Sequence, residues 1–279
     1  MPAQLLGAHV SVKGGLGNAV RSGHAMGCTA IQVFTSSPRQ WYSAPLAPEQ
    51  IADFKRAEEE TGLTAVVSHD SYLINLCAPT PEIAEKSFEG LKGELVRCSK
   101  YGIKWVVSHM GSYKDQDPGE SILRVCEATA QLFAETPDDV TLLMETTAGQ
   151  GSSLNSRFEE LALILDQLKG HPRLGVCLDT CHVFAAGYDI RTDEGYDKTF
   201  AEFGRLVGFD RLKAIHCNDS QKALGSRVDR HADIGEGLIG PHAFQRLVND
   251  ERFTHTPILL ETETEHHQEN LDRLKSYRA

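Results

Sequence analysis

Short apolar runs rich in β-branched residues recur along the chain, and each closes on a histidine or a carboxylate. Ala65-Val66-Val67-Ser68 leads to His69, Trp105-Val106-Val107-Ser108 to His109, and residues 140–144 to Glu145. Residues 174–178 lead to Asp179, Leu212-Lys213-Ala214-Ile215 to His216, and Ile258-Leu259-Leu260 to Glu261. Continuous apolar runs of this length predict strands covered on both faces, as in a parallel sheet. Two further runs, 5–10 and 30–35, bring the number of predicted strands to eight.

The stretches between the runs are long enough for helices. Residues 48–62 and 81–102 each begin near a proline and stop at a glycine, the asymmetry of helix ends. Further helices are predicted over about 119–135, 157–168, 197–207, 241–248 and 265–275. Eight βα units predict an α/β fold, a closed (β/α)8 TIM barrel with parallel strands and outer helices, spanning 1–279 as one domain. An open doubly wound sheet is the competing layout, but it would spread the polar strand ends along an edge. A barrel gathers them at one mouth.

Composition adds less. No linker, low-complexity tract or break in composition divides the 279 residues. The N-terminal residues Met1 to Gln4 lack the pattern of a signal peptide, and no apolar run approaches a membrane span, so a cytoplasmic protein without a membrane partner is expected. Seven cysteines without paired spacing suit a reducing compartment. Cys177, Cys181 and Cys217 lie close to the strand-end ligand types, and their expected role is packing, with a thiolate ligand as the alternative.

Two more clusters join the strand ends. His182 follows Asp179 by three residues, in what reads as a loop, and Asp229-Arg230-His231 places two ligand types at i and i+2, on one side of an extended segment. Five histidines (His69, His109, His182, His216, His231) and four carboxylates (Glu145, Asp179, Asp229, Glu261) result. Zinc takes about four such ligands. Nine, with one carboxylate bridging and solvent completing the shells, exceed one ion and suffice for three. Clustered metals are a natural device for phosphodiester hydrolysis. The other histidines read as surface or structural, with His9 placed near the site as a positioning residue.

Residues 178–189, then His216-Cys217-Asn218-Asp219-Ser220, residues 225–231 and Ile234-Gly235-Glu236-Gly237 resemble the endonuclease IV family of apurinic/apyrimidinic endonucleases. Gly7-Ala8-His9-Val10-Ser11, residues 69–76 and residues 146–152 extend the resemblance over nearly the whole chain. It implies a zinc-dependent enzyme of base excision repair. Such an enzyme hydrolyses the phosphodiester 5′ to an abasic site in duplex DNA, leaves a 3′ hydroxyl and a 5′ deoxyribose phosphate, and trims blocked 3′ ends. It further implies three zinc ions, one position being open to manganese. His69, His109 and Glu145 would hold one, Glu145, Asp179, His216 and Glu261 the second, and His182, Asp229 and His231 the third. Glu145, as the bridge, is the catalytic carboxylate. Arg39, Tyr72 and Leu73 would insert into DNA, with Arg230 as a further DNA contact among βα loops at the C-terminal face, and the protein is expected to be a monomer.

This sequence departs from the family at three places. Met110 and Thr262 stand where a proline is common, and Thr146 where asparagine is frequent, which bears on metal affinity and rate more than on reaction type. Lys+Arg 28 against Asp+Glu 39 gives a net charge of −11, unlike a phosphate-binding surface. Three divalent ions would invert the field where the acids cluster. Arg39, Lys114, Lys222, Arg227 and Arg230 are local basic candidates on the same face. A two-metal sugar isomerase and a non-catalytic zinc or damage-sensing module are the other readings; the third cluster and the inserting loops speak against the isomerase.

Overall fold

The computed structural model describes residues 4–278. Residues 1–3, on which the reading of the N-terminus falls, lie outside the described residues. The chain alternates strand and helix from the start: β1 (Leu6–His9), α1 (Leu16–Ala25), β2 (Ala30–Val33), α2 (Pro48–Thr61), β3 (Ala65–His69), α3 (Pro81–Tyr101) and β4 (Trp105–Ser108). It continues with α4 (Pro118–Glu135), β5 (Thr141–Glu145), α5 (Phe158–Gln167), β6 (Leu174–Asp179), α6 (Thr180–Ala186), α7 (Asp193–Leu206) and β7 (Leu212–His216). A two-stranded hairpin, β8 (Asp219–Ser220) and β9 (His231–Ala232), precedes α8 (Pro241–Asn249), β10 (Ile258–Leu260) and α9 (His267–Ser276).

Eight parallel strands close into a barrel in the order β1-β10-β7-β6-β5-β4-β3-β2, as predicted. Closure is made by β1, which pairs with β10 through Leu6↔Ile258 and with β2 through Gly7↔Ala30. Alternate residues of a barrel strand face inward. Ala30, Val67, Val107, Leu143, Cys177, Ala214 and Leu259 form an interior cluster separate from the core under the helices. Two residues beyond each of them, at the C-terminal end, stand Gln32, His69, His109, Glu145, Asp179, His216 and Glu261. The polar strand ends are therefore the next inward layer, and the apolar layer beneath closes the barrel floor to water.

The helix stops behave as their sequence suggests. α2 and α3 begin at Pro48 and Pro81 and end on Gly62 (φ 71°) and Gly102 (φ 81°) in the left-handed region, where glycine carries no Cβ penalty. Three elements differ from expectation. α1 is not among the predicted helices; its Gly17 lowers helix propensity, yet a Cβ there would lie 2.1 Å from the Asp53 carboxylate of α2, so the glycine serves close helix packing. α7 starts four residues earlier than the predicted 197, because the Thr192 hydroxyl accepts from Gly195 N and caps it there. His182 lies in the first turn of α6 and not in a loop, since Asp179 caps that helix directly after the strand. Among the described residues, no helix is long and apolar enough to cross a membrane.

Candidate metal centre

At the mouth of the barrel the nine nominated side chains converge. Three groups have donor atoms that all lie within 4.8 Å of one another: His69, His109 and Glu145; Glu145, Asp179, His216 and Glu261; and His182, Asp229 and His231. Glu145 belongs to two of them. Its Oε2 lies 3.2 Å from Nε2 of both His69 and His109, and its Oε1 lies 2.9 Å from Nδ1 of His216. In the third group Nε2 of His182 is 3.1 Å from Asp229 Oδ2, and Nε2 of His231 is 3.2 Å from Asp229 Oδ1.

Those separations fit donors arranged about shared ions. Two ligands of one tetrahedral zinc, each at about 2.0–2.1 Å, stand about 3.3 Å apart. His231 supplies a second indication, because its Nε2 is buried and makes no hydrogen bond although carboxylates flank it. A buried imidazole nitrogen with no hydrogen bond, set between carboxylates, is a place that a bound cation would satisfy. The donor set, imidazole nitrogen and carboxylate oxygen, is that of zinc. A fourth overlapping group contains Cys181 with Asp179 and His231, but burial pushes the Cys181 thiol up to about 12, so it stays protonated and donates to the Arg230 carbonyl. Cys177 and Cys217 are fully buried.

Backbone and neighbouring side chains aim the donors. His69 and His182 donate Nδ1–H to the carbonyls of Asp70 (2.9 Å) and Thr146 (2.8 Å), leaving Nε2 for the site. Asp179 divides its oxygens: Oδ1 accepts from His182 N at 2.8 Å, and Oδ2 accepts from Asn218 Nδ2 at 2.7 Å. Asn218 also accepts from Glu261 N through Oδ1 at 2.8 Å, so one buried amide holds the Asp179 carboxylate and the main chain at Glu261. Thr146 takes a place in this network, its hydroxyl accepting from Asp179 N at 2.9 Å. Met110 is buried with its carbonyl bonded to Leu76 N, and the Thr262 carbonyl accepts from His267.

Electrostatics follow from packing acids and imidazoles together. Burial alone would raise the Glu145 carboxyl, yet His109, His216 and His182 around it hold it well below the usual carboxylate range. Burial would likewise lower His69, but Glu145, Asp70 and Glu261 raise it to about 10. His231 is raised to about 9 for the same reason, with Asp229 as its main partner. Asp70, buried and accepting from the Ser108 hydroxyl, is pushed up by burial to about 7.

Around the cluster lies a wall of rings. Phe34 packs 4.4 Å from His9 and 5.4 Å edge-on to Tyr72. Tyr72 is 64 % exposed beside the buried histidines, while Leu73 is half-buried. The Pro38 carbonyl accepts from Tyr72 N (3.1 Å) and from the Ser71 hydroxyl (2.9 Å), which joins the Arg39 loop to the Tyr72 loop. Arg39, Lys114, Lys222, Arg227 and Arg230 are all exposed on loops of this face. Arg227 is tied down through Nε to the Gly149 carbonyl and Arg230 through Nη1 to the Asp229 carbonyl. Sequence reasoning gave no role to Gln32, Phe34, Asn218 or Asp219. Gln32 had a signal, as a polar residue at an inward position of an apolar strand.

Comparison with known proteins agrees with this geometry. Residues 20–277 match the family described as a xylose isomerase-like TIM barrel. A probable endonuclease 4 of Chloroflexus aggregans is 49 % identical over 257 residues, covering 92 % of this chain and 90 % of the relative. The crystal structure of endonuclease IV from Thermus thermophilus superposes with a TM-score of 0.87 at 36 % identity, covering 98 % of each chain. A 3-keto-D-glucoside 4-epimerase of E. coli, at 13 % identity and a TM-score of 0.69 over 98 % of this chain and 99 % of its own, shares the fold alone.

Proposed function

The chain belongs to the endonuclease IV family, and on that premise we propose that it is a metal-dependent nuclease that hydrolyses duplex DNA 5′ to abasic sites and trims blocked 3′ ends in DNA repair. The observation that carries the reading is the convergence of nine acids and imidazoles into three donor groups joined by Glu145. His69, His109 and Glu145 would hold one zinc, Glu145, Asp179, His216 and Glu261 the second, and His182, Asp229 and His231 the third, where manganese is an alternative occupant at one position. Zinc bound there would supply Lewis-acid charge to a phosphodiester and bring the pKa of water near neutrality.

The chain's own contribution is placement and exclusion. The carbonyls of Asp70 and Thr146 fix which nitrogen of His69 and His182 faces the substrate. Asn218 and Thr146 fix the main chain at Glu261 and Asp179, and the Asn218 amide also holds the Asp179 carboxylate, so that both acids are placed at the cluster. Tyr72, Leu73 and Arg39, on two loops pinned to each other, would enter the duplex and occupy the gap left by the missing base, where planar and apolar side chains support a kink. Phe34 and Tyr72 close one side of the pocket and would exclude water from the sugar that swings out. The acidic net charge is compatible with this use, because the cations would form the positive part of the DNA surface.

The third donor group separates this reading from a two-metal sugar isomerase on the same fold. The test is direct. Purified protein should nick a duplex carrying one abasic analogue, leave an extendable 3′ hydroxyl, and lose the activity when chelated. An intact duplex under metal-replete conditions would sink the proposal.

A further inference from the structure

His216 faces the cluster the opposite way round from its neighbours. His69, His182 and His231 turn Nδ1 to main-chain carbonyls, at 2.9, 2.8 and 3.4 Å, and keep Nε2 for the acids. His216 presents Nδ1 instead, 2.9 Å from Glu145 Oε1 and 3.1 Å from Glu261 Oε2. Its Nε2 lies 2.7 Å from Oε1 of Gln32, a side chain and not a carbonyl of the main chain.

Gln32 is fully buried on β2, level with His9 on one side and Val67 on the other. The orientation of its amide follows from chemistry. Nε2 sits 2.6 Å from Glu261 Oε1 and 3.0 Å from His9 Nδ1. Turning the amide over would press its oxygen against a carboxylate, two acceptors with no hydrogen between them. Glu261 therefore keeps the NH2 on its own side and Oε1 on the side of His216. An amide oxygen accepts only, so Nε2 of His216 carries a hydrogen, and in the neutral imidazole that a metal takes the lone pair is on Nδ1. A histidine ligates through the nitrogen that its other hydrogen bond leaves bare.

We infer that Gln32 is a positioning residue that selects Nδ1 of His216 as the metal-binding nitrogen and at the same time holds Glu261 at the same ion. The inference rests on the zinc reading proposed above. His69, His182 and His231 are set by main chain that substitution leaves in place, whereas His216 depends on a single replaceable side chain.

The test begins with the full-length, zinc-loaded protein labelled with 15N at histidine. Long-range 1H–15N correlations should show His216 with hydrogen on Nε2 and zinc on Nδ1. Gln32→Leu keeps a similar volume in the strand and removes all three hydrogen bonds. In that variant the His216 pattern should lose its single tautomer. Competition with a chelator should show one of three zinc positions weakened about 10–100-fold, with thermal melting close to the parent. Zinc on Nε2 of His216 in the parent protein, or three unchanged affinities in Gln32→Leu, would overturn the inference while leaving the zinc reading standing. Failure of the parent to take up zinc would remove both. The parent spectrum needs no variant, so a Gln32→Leu protein that does not fold leaves the question decidable.

Discussion

Oε1 of Glu145 lies 2.9 Å from Nδ1 of His216, on the opposite side of the carboxylate from His69 and His109, which approach Oε2 at 3.2 Å. One side chain at the end of β5 thus serves two donor groups. Glu145→Gln preserves size but replaces one charged oxygen by an NH2 that can only donate, so one of the two groups loses a ligand and meets a hydrogen instead. Nicking of an abasic duplex should fall by about 100-fold or more, with circular dichroism and melting retained. Activity within a few-fold of the parent would refute Glu145 as a bridge.

Proton release should accompany zinc uptake. Although burial would lower both imidazoles, their acidic partners raise His69 to about 10 and His231 to about 9 in the metal-free protein, so both are protonated at neutral pH. Zinc takes neutral imidazole, and binding must expel those protons. His182 is raised as well, by Asp179, Asp229 and Glu145, so calorimetry at about pH 7.5 in buffers of differing ionisation enthalpy should report a net release of more than one proton. The sign for stability follows. A raised folded-state pKa contributes stability that is complete below the ordinary value of about 6.5 and is lost as pH rises through about 9 to 10. The chelated protein should melt progressively lower across that upper window, and the zinc-loaded protein should not. Identical pH profiles for the two forms would contradict the account.

Much of this was legible because a barrel strand reads with period two. His69 follows Val67, Glu145 follows Leu143 and Asp179 follows Cys177 on the inward face, so a buried apolar run that ends on a ligand type carries both the fold and the site. What periodicity cannot carry is contact between distant loops. Asn218 bonds Asp179 and Glu261 from 39 and 43 residues away, and nothing local to residue 218 announces it. α6 is hidden in the sequence because Asp179 ends a strand and caps a helix at once, leaving no turn signal between them. The inserting roles expected of Arg39, Tyr72 and Leu73 came from family resemblance, since an exposed Tyr-Leu step by itself reads sooner as a barrel cap.

Tyr72 and the donor cluster should be separable by experiment. The ring is 64 % exposed and touches Phe34, while the three donor groups are built from histidine, aspartate and glutamate side chains. Tyr72→Ala should leave the zinc count and melting unchanged and weaken binding to an abasic duplex by about 1–3 kcal/mol, the range for an aromatic platform under nucleic acid. Binding to an undamaged duplex should change less. Equal weakening on both duplexes would assign Tyr72 to general backbone contact and not to the lesion.

Asp219 offers a test of the third proposed zinc position that leaves its candidate ligands in place. Its carboxylate is fully buried and is surrounded by main-chain donors: Oδ1 accepts from Ser220 N (2.7 Å) and Ile239 N (2.9 Å), and Oδ2 from Gly235 N and Gly237 N (both 3.0 Å). The segment so gathered carries Asp229 and His231, and Asp219 itself pairs with Ala232 beside His231. Asp219→Asn is almost the same size, but its NH2 would face N–H groups, donor against donor. Leaving buried main-chain donors unpaired costs about 1–3 kcal/mol. The loop should loosen, the melting temperature should drop, and the zinc count should fall from three towards two as Asp229 and His231 lose their fixed approach to His182 on α6. Because His69, His109, Glu145, Asp179, His216 and Glu261 sit at or directly after the ends of barrel strands, outside the segment that Asp219 gathers, the other two zinc positions should be retained. Loss of all three ions together would show that the groups assemble cooperatively, and an unchanged count would show that the hairpin holds its shape without the buried carboxylate.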